Sequence, residues 1–158
     1  MIGKNVPPSR VPGPPSWVPA GFKLRHRFEG EPSGGFHGAG NDQVTFLHSR
    51  LGKAEDNSFP LMVFVASAPG QQLDGTQGQA GTQVSLGILG KIGTYHDGMW
   101  YVDGAALQSV GLQRAKQWRT DQVHSLTIHE SDRTVGIRAR RDVALKDLIQ
   151  IARSLDLG

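Results

Sequence analysis

The stretch that most constrains the fold is residues 87–157, where two hairpin patterns are followed by one amphipathic helix. In the first pattern, residues 91–96 and 99–102 flank Asp97 and Gly98. An Asp-Gly pair predicts a type I′ turn, whose two central residues both need positive φ. Such a turn pairs Tyr95 with Trp100 and Gly93 with Val102 on one face. In the second pattern, residues 124–129 and 134–140 flank a turn centred on Asp132 and Arg133. That register pairs Ile128 with Ile137 and Leu126 with Ala139 on one face, and turns Thr127, His129, Arg138 and Arg140 to the other. Residues 144–155 then place Leu145, Leu148, Ile149, Ala152 and Leu155 on one helical stripe. Asp142 and Asp147 near its start and Arg153 near its end suit the helix dipole. Ala144 stands where a capping Ser or Thr is favoured. Meandering strands closed by a terminal helix predict an α+β domain, a single curved antiparallel sheet of about six to eight strands with the C-terminal helix packed on it.

Upstream, residues 21–29 alternate, with Phe22, Leu24, His26 and Phe28 on one face. Residues 43–50 alternate again through Val44, Phe46 and His48. The nearly continuous apolar run 59–67 predicts a central strand covered on both faces. Residues 84–96 read as strand segments broken by Gly87, Gly90 and Gly93, which mark bulges or the close approach of another group. Residues 105–113 carry no decisive pattern and read as loop. Residues 68–82 contain Gln71, Gln72, Gln77 and Gln79 among Gly70, Gly75, Gly78 and Gly81. With too few apolar groups to pack, they predict a long mobile loop. Pro7, Pro8, Pro12, Pro14, Pro15 and Pro19 make residues 1–19 a stiff, extended linker or disordered tail, with Trp17 placed to dock it. Residues 20–158 then form one α+β domain.

A chain of 158 residues suits a single domain. Its lack of cysteine excludes disulfides, thiolate metal sites and a cysteine nucleophile. The net charge is +3, and the dense basic run is Arg138, Arg140 and Arg141. That run reads either as a solvated strand edge or as a patch for an anionic surface, lipid headgroup or nucleic acid. The longest apolar run, residues 61–66, falls far short of the ~20 residues of a membrane-crossing helix, and no apolar leader opens the chain.

Tests for chemistry narrow the field. The histidines His26, His37, His48, His96, His124 and His129 show no ligand spacing, so neither metal nor cofactor is expected. Residues 87–94 resemble a phosphate loop only superficially. Ser85 stands where a Walker glycine belongs, and Ile92 replaces the Ser/Thr after Lys91. The glycines of 34–40 either turn the chain or cradle an anion. No Gly-x-Ser-x-Gly elbow occurs. Three function classes remain. One is a binding domain whose sheet encloses an apolar pocket lined by Phe22, Leu24, Phe28, Phe46, Phe64, Leu86, Ile88 and Trp100, side chains that otherwise simply fill the core. The second is a nucleic-acid or anionic-surface module using Arg138, Arg140 and Arg141. The third is a hydrolase with a site built from His37, His96 or His129.

Some features also carry a resemblance. Residues 17–22 read Trp-Val-Pro-Ala-Gly-Phe, Gly90 and Lys91 form a turn, Trp118 precedes a late strand, and residues 148–155 read Leu-Ile-Gln-Ile-Ala-Arg-Ser-Leu. This order resembles a bacterial extracytoplasmic domain family of unknown function, found after the membrane helix in anti-sigma-factor-like and lipoprotein-sorting-like proteins. The resemblance implies a non-enzymatic sensor or binding domain of the cell envelope. Its ligand would be a lipid, an envelope component or a partner protein, and its membrane tether would lie outside the given chain. The family supplies no catalytic residues to carry over. The chain departs from the family pattern in its long Gln/Gly-rich segment and in Ala144 at the helix start.

Overall fold

A computed structural model describes residues 13–29, 36, 43–50, 60–66, 69–88 and 90–155. Along them run β1 (Phe22–Glu29), β2 (Gln43–Arg50), β3 (Leu61–Ala66), β4 (Thr82–Ser85), β5 (Ile92–His96), β6 (Met99–Val102), α1 (Gly104–Val110), α2 (Leu112–Ala115), β7 (Lys116–Arg119), β8 (Val123–His129), β9 (Thr134–Arg140) and α3 (Leu145–Ser154). Seven strands form one antiparallel sheet in the order β1-β2-β3-β9-β8-β5-β4, and β6 and β7 pair as a separate ribbon. The C-terminal helix packs on the large sheet, giving the expected α+β architecture.

Period-two alternation sorts the strands into two faces. Phe46, Leu61, Val63, Leu126, Ile128, Val135 and Ile137 point to the α3 face, where Leu148, Ile151, Ala152 and Leu155 meet them. The helical stripe is as the sequence predicts, widened by Ile151. Trp17 and Val18 lie against this core, and Ser16 donates to the Ser154 carbonyl through its hydroxyl at 3.1 Å. As expected, β3 is a central strand buried on both faces. Its alternate side chains Phe64 and Ala66 join Phe36 and Leu73 on the opposite face.

The second hairpin forms, but two residues out of the expected register. Leu126 faces Ile137 and Ile128 faces Val135, while Ile137 and Ala139 keep their side of the sheet. A four-residue turn fixes the register: the Glu130 amide donates to the Arg133 carbonyl at 2.9 Å. Arg133 and Lys91 both bridge the Glu130 carboxylate, at 2.5 and 2.9 Å. An even slip preserves faces, which is why the alternation alone did not reveal it.

The first hairpin does not form. β5 pairs with β4 and β8, and β6 pairs with β7, so Trp100 faces Trp118 instead of Tyr95. Gly98 does not adopt positive φ, so the type I′ turn is absent. Its glycine answers a different need: an added Cβ would lie 2.1 Å from the Arg119 carbonyl oxygen. In β1 a bulge between Leu24 and His26 shifts the alternation. Phe22 and Leu24 therefore share the α3 side, whereas His26 and Phe28 fall on the other, correcting the single face the sequence predicts. Residues 104–110 are helical where a loop is expected, because the Asp103 carboxylate accepts from the Ala105 and Ala106 amides at 3.0 and 3.4 Å.

The segment expected to be a mobile loop is packed over the face opposite α3. The Thr76 amide donates to the Leu73 carbonyl at 3.1 Å and the Gln79 amide to the Thr76 carbonyl at 3.2 Å, two turns in succession. Leu73 is 1% exposed and lies over Gly136, where a Cβ would come within 2.7 Å of its Cδ2. One leucine seated over one glycine anchors an otherwise polar segment. Leu73→Ala is expected to lower stability by about 2 kcal/mol and open residues 69–81 to limited proteolysis. An uncut segment with unchanged stability would contradict this packing.

Candidate functional site

The face beneath residues 69–81 carries a buried polar row beside the Phe36, Phe64, Ala66 and Leu73 cluster. Strand order and register place His96 beside Ser125, and Ser125 beside Arg138, in one cross-strand row. Arg138 is 8% exposed, and its Nη2 donates to the main-chain carbonyl of Asp74. Burial pushes the guanidinium pKa down, opposed by the nearby Asp74 and Tyr101, and arginine stays charged. A carbonyl satisfies one donor without neutralising the cation. Next in the row, the Ser125 hydroxyl is buried without a hydrogen-bond partner among the described residues. His96 Nε2 donates to the Gln79 carbonyl at 2.9 Å, which leaves Nδ1 as an acceptor, also buried and without a partner among the described residues. A cation, a donor and an acceptor thus adjoin under one polar cover.

Beside this face the segment from β6 to β7 forms an arm. Trp100 and Trp118 meet edge-to-face, 5.4 Å between centroids at 76°. Trp100 Nε1 donates to the Gln77 carbonyl and Trp118 Nε1 to the Asp97 carboxylate, each at 2.9 Å. Lys116 Nζ lies 4.5 Å from the Trp100 ring and Arg119 Cζ 5.2 Å from the Tyr101 ring. Cation–π pairs of this kind contribute about 0.5–1 kcal/mol at exposed sites. Beyond the tryptophans, α1 buries none of its residues. Val102, Leu107 and Val110 are 47%, 41% and 46% exposed.

On the α3 face, His124 positions a helix that has no capping side chain. Its Nε2 donates to the Val143 carbonyl at 2.6 Å, and its Nδ1 accepts from the Tyr95 hydroxyl at 2.8 Å. The Tyr95 oxygen in turn accepts from Arg141 Nη1 at 2.8 Å. Burial first, and then the Arg141 charge, push the His124 pKa below the usual 6.5, and burial does the same to His48. Both imidazoles are therefore favoured neutral in the fold. Below pH 6.5 the unfolded chain binds protons that the folded chain resists, so stability is full above that pH and falls beneath it. Each unit below pH 6.5, until the folded pKa is reached, is expected to remove about 1.4 kcal/mol per histidine. Urea midpoints at pH 7.5 and pH 5.5 measure the loss, and equal midpoints would contradict it.

The side chains nominated for a pocket are divided. Phe22, Phe46 and Leu86 belong to the core beneath α3, while Phe64 packs on the opposite face. Leu24 and Phe28 are 40% and 43% exposed, and Ile88 and Trp100 are half-buried. Of the basic run, Arg138 and Arg140 share the covered face. Arg141 follows the strand, exposed and turned to Tyr95. His129 is exposed on β8; His37, most of the 34–40 glycine loop and residues 1–12 lie outside the described residues. Among the described residues, no group of His, Asp and Glu is arranged to hold a metal ion, and no helix is long and apolar enough to cross a membrane. Sequence reasoning missed Asp103, Leu73 and Ser125. The first had a legible signal, an Asp cap before Ala105, Ala106, Leu107 and Gln108 with Gly111 beyond.

No protein-family model matches the chain, no curated protein is significantly similar to it, and no solved structure matches it significantly. No match links it to the anti-sigma-factor-like or lipoprotein-sorting-like domains that its motifs resemble.

Proposed function

We propose that this protein is a non-enzymatic binding domain of the cell envelope that recognises a partner protein through the arm from β6 to β7. The observation that carries this reading is the helix α1. It buries no residue in the fold and leaves Leu107 and Val110 exposed beside Val102. A helix is ordinarily held by burying one apolar stripe, and a partner laid on the arm would supply that burial. Tryptophan, tyrosine and arginine, the residue types enriched at interface centres, stand at the base of the arm as Trp100, Trp118, Tyr101 and Arg119. The division of the nominated pocket residues between two faces favours a surface over an enclosed apolar ligand. The envelope location rests on the family resemblance and on the proline-rich sequence ahead of the docked Ser16, Trp17 and Val18, a composition suited to a spacer.

Site-specific crosslinking in the source cells tests the proposal. A benzophenone side chain at position 107 or 110 is expected to give one discrete protein adduct. The same probe at Lys146, exposed on α3, is expected to give none. Adducts of equal yield at all these positions, or none on the arm, would contradict it. A second reading, an anionic-surface or single-stranded nucleic-acid binder, is favoured by the cation–π pairs of Lys116 with Trp100 and Arg119 with Tyr101. Oligonucleotide binding that falls steeply with salt would select it instead.

A further inference from the structure

We propose that the row His96, Ser125 and Arg138, beneath residues 69–81, binds a small tetrahedral oxyanion that still carries a proton. Inorganic hydrogen phosphate has that chemistry at neutral pH, and a phosphomonoester headgroup has it in its monoanionic form, below its second pKa of about 6. The buried Arg138 guanidinium offers charge-assisted donors, and its Nη2 is engaged by a neutral carbonyl. Ser125 is 2% exposed, and among the described residues its hydroxyl is an unused donor. His96 is held by Gln79 in the orientation that presents Nδ1 as an acceptor, unused among the described residues. A buried polar group without a partner is destabilising and is rare in native folds. Here two such groups belong to residues paired across adjacent strands, and Arg138 continues the row.

A water molecule would satisfy Ser125 and His96 but would add no negative charge to that of the nearby Asp74 beside the buried Arg138. A fully deprotonated anion would suit Arg138 and Ser125 but would meet the His96 Nδ1 lone pair with another acceptor. An oxyanion with one remaining O–H satisfies all three groups: it accepts from Arg138 and Ser125 and donates to Nδ1. Gly70, Gly75 and Gly78 hold the turns of the cover at φ of 71°, 93° and 78°. The Asp74 carboxylate accepts from Gln77 Nε2 at 3.0 Å, within the cover itself. Entry requires residues 69–81 to move off the Arg138 face and to part from Trp100, whose amide and ring N–H donate to the Gly75 and Gln77 carbonyls.

Calorimetric titration of the full chain at neutral pH tests the site with inorganic phosphate and sulfate. Phosphate is expected to bind one to one. Sulfate, which carries no proton at that pH, is expected to bind about tenfold more weakly, and Ser125→Ala to weaken phosphate by about tenfold, the usual worth of one hydrogen bond to a charged group. Without ligand, Ser125→Ala should be as stable as the parent, because it removes an unsatisfied hydroxyl. Arg138→Met should abolish binding; Ser125→Ala keeps the test valid if that variant does not fold. Glycerol phosphate is compared with phosphate at pH 6, where it too retains a proton in about half of its molecules: equal binding would identify an esterified headgroup, and its exclusion would identify the free anion. No heat with phosphate would overturn the proposal, and so would phosphate binding that Ser125→Ala leaves unchanged.

Discussion

Gly98→Ala is expected to lower stability by about 3 kcal/mol, a large share of the ~5–15 kcal/mol that holds a domain folded. The added Cβ would stand 2.1 Å from the Arg119 carbonyl oxygen, 2.8 Å from its carbon and 3.2 Å from the Thr120 Cα. All these atoms are main chain, so no rotamer change relieves the clash. The strand β7 must withdraw, and with it the Trp100–Trp118 contact that closes the ribbon. An Asn variant separates this explanation from the turn that the sequence predicts. A type I′ turn tolerates Asn where positive φ is needed, whereas a steric requirement rejects Asn as firmly as Ala. Urea denaturation of both variants decides. If Gly98→Asn matches the parent, the Asp97–Gly98 turn is restored and the β6–β7 ribbon is wrong.

Phe46→Ala is expected to remove about 3–5 kcal/mol. Phe46 is fully buried on β2, opposite Val63 of β3 and Arg27 of β1, within the cluster beneath α3. Truncation deletes the ring's transfer free energy and leaves a void that a seven-stranded sheet cannot close by small shifts. A phenylalanine lining an open ligand pocket would behave otherwise, since its loss would enlarge an existing space at small energetic cost. Leu24→Ala and Phe28→Ala, at positions 40% and 43% exposed, provide the internal contrast and are expected to change stability by less than about 1 kcal/mol. A Phe46→Ala loss as small as theirs would return Phe46 to the wall of a pocket.

Local periodicity made much of the fold legible. The α3 stripe, the apolar β3 and the alternation of β9 all state which faces are buried, and burial decides the α+β architecture. What failed was information held between distant residues. Asp97 and Gly98 carry a strong local turn signal, yet Gly98 is dictated by the approach of the Arg119 carbonyl, which no neighbouring residue announces. The β1 alternation reads cleanly until the bulge after Leu24, and an extra residue in a strand leaves no compositional trace. Residues 69–81 look unpackable because their one deeply seated leucine fits a gap made by Gly136, more than fifty positions later in the chain. The candidate site was illegible for the same reason. Parity placed Arg138 opposite Ile137, but only strand order brings His96 and Ser125 beside it and shows that the face is covered.

The measurement that tests this arrangement most directly is amide hydrogen exchange of Thr76, Gln79 and Trp100. Their N–H groups donate to the carbonyls of Leu73, Thr76 and Gly75 at 3.1, 3.2 and 2.9 Å. A packed cover tied to the arm is expected to protect all three, with Trp100 slowing further as β6 is held. Exchange of these amides at the rate of an unstructured chain, while Leu126 in the sheet stays protected, would contradict a cover over Arg138.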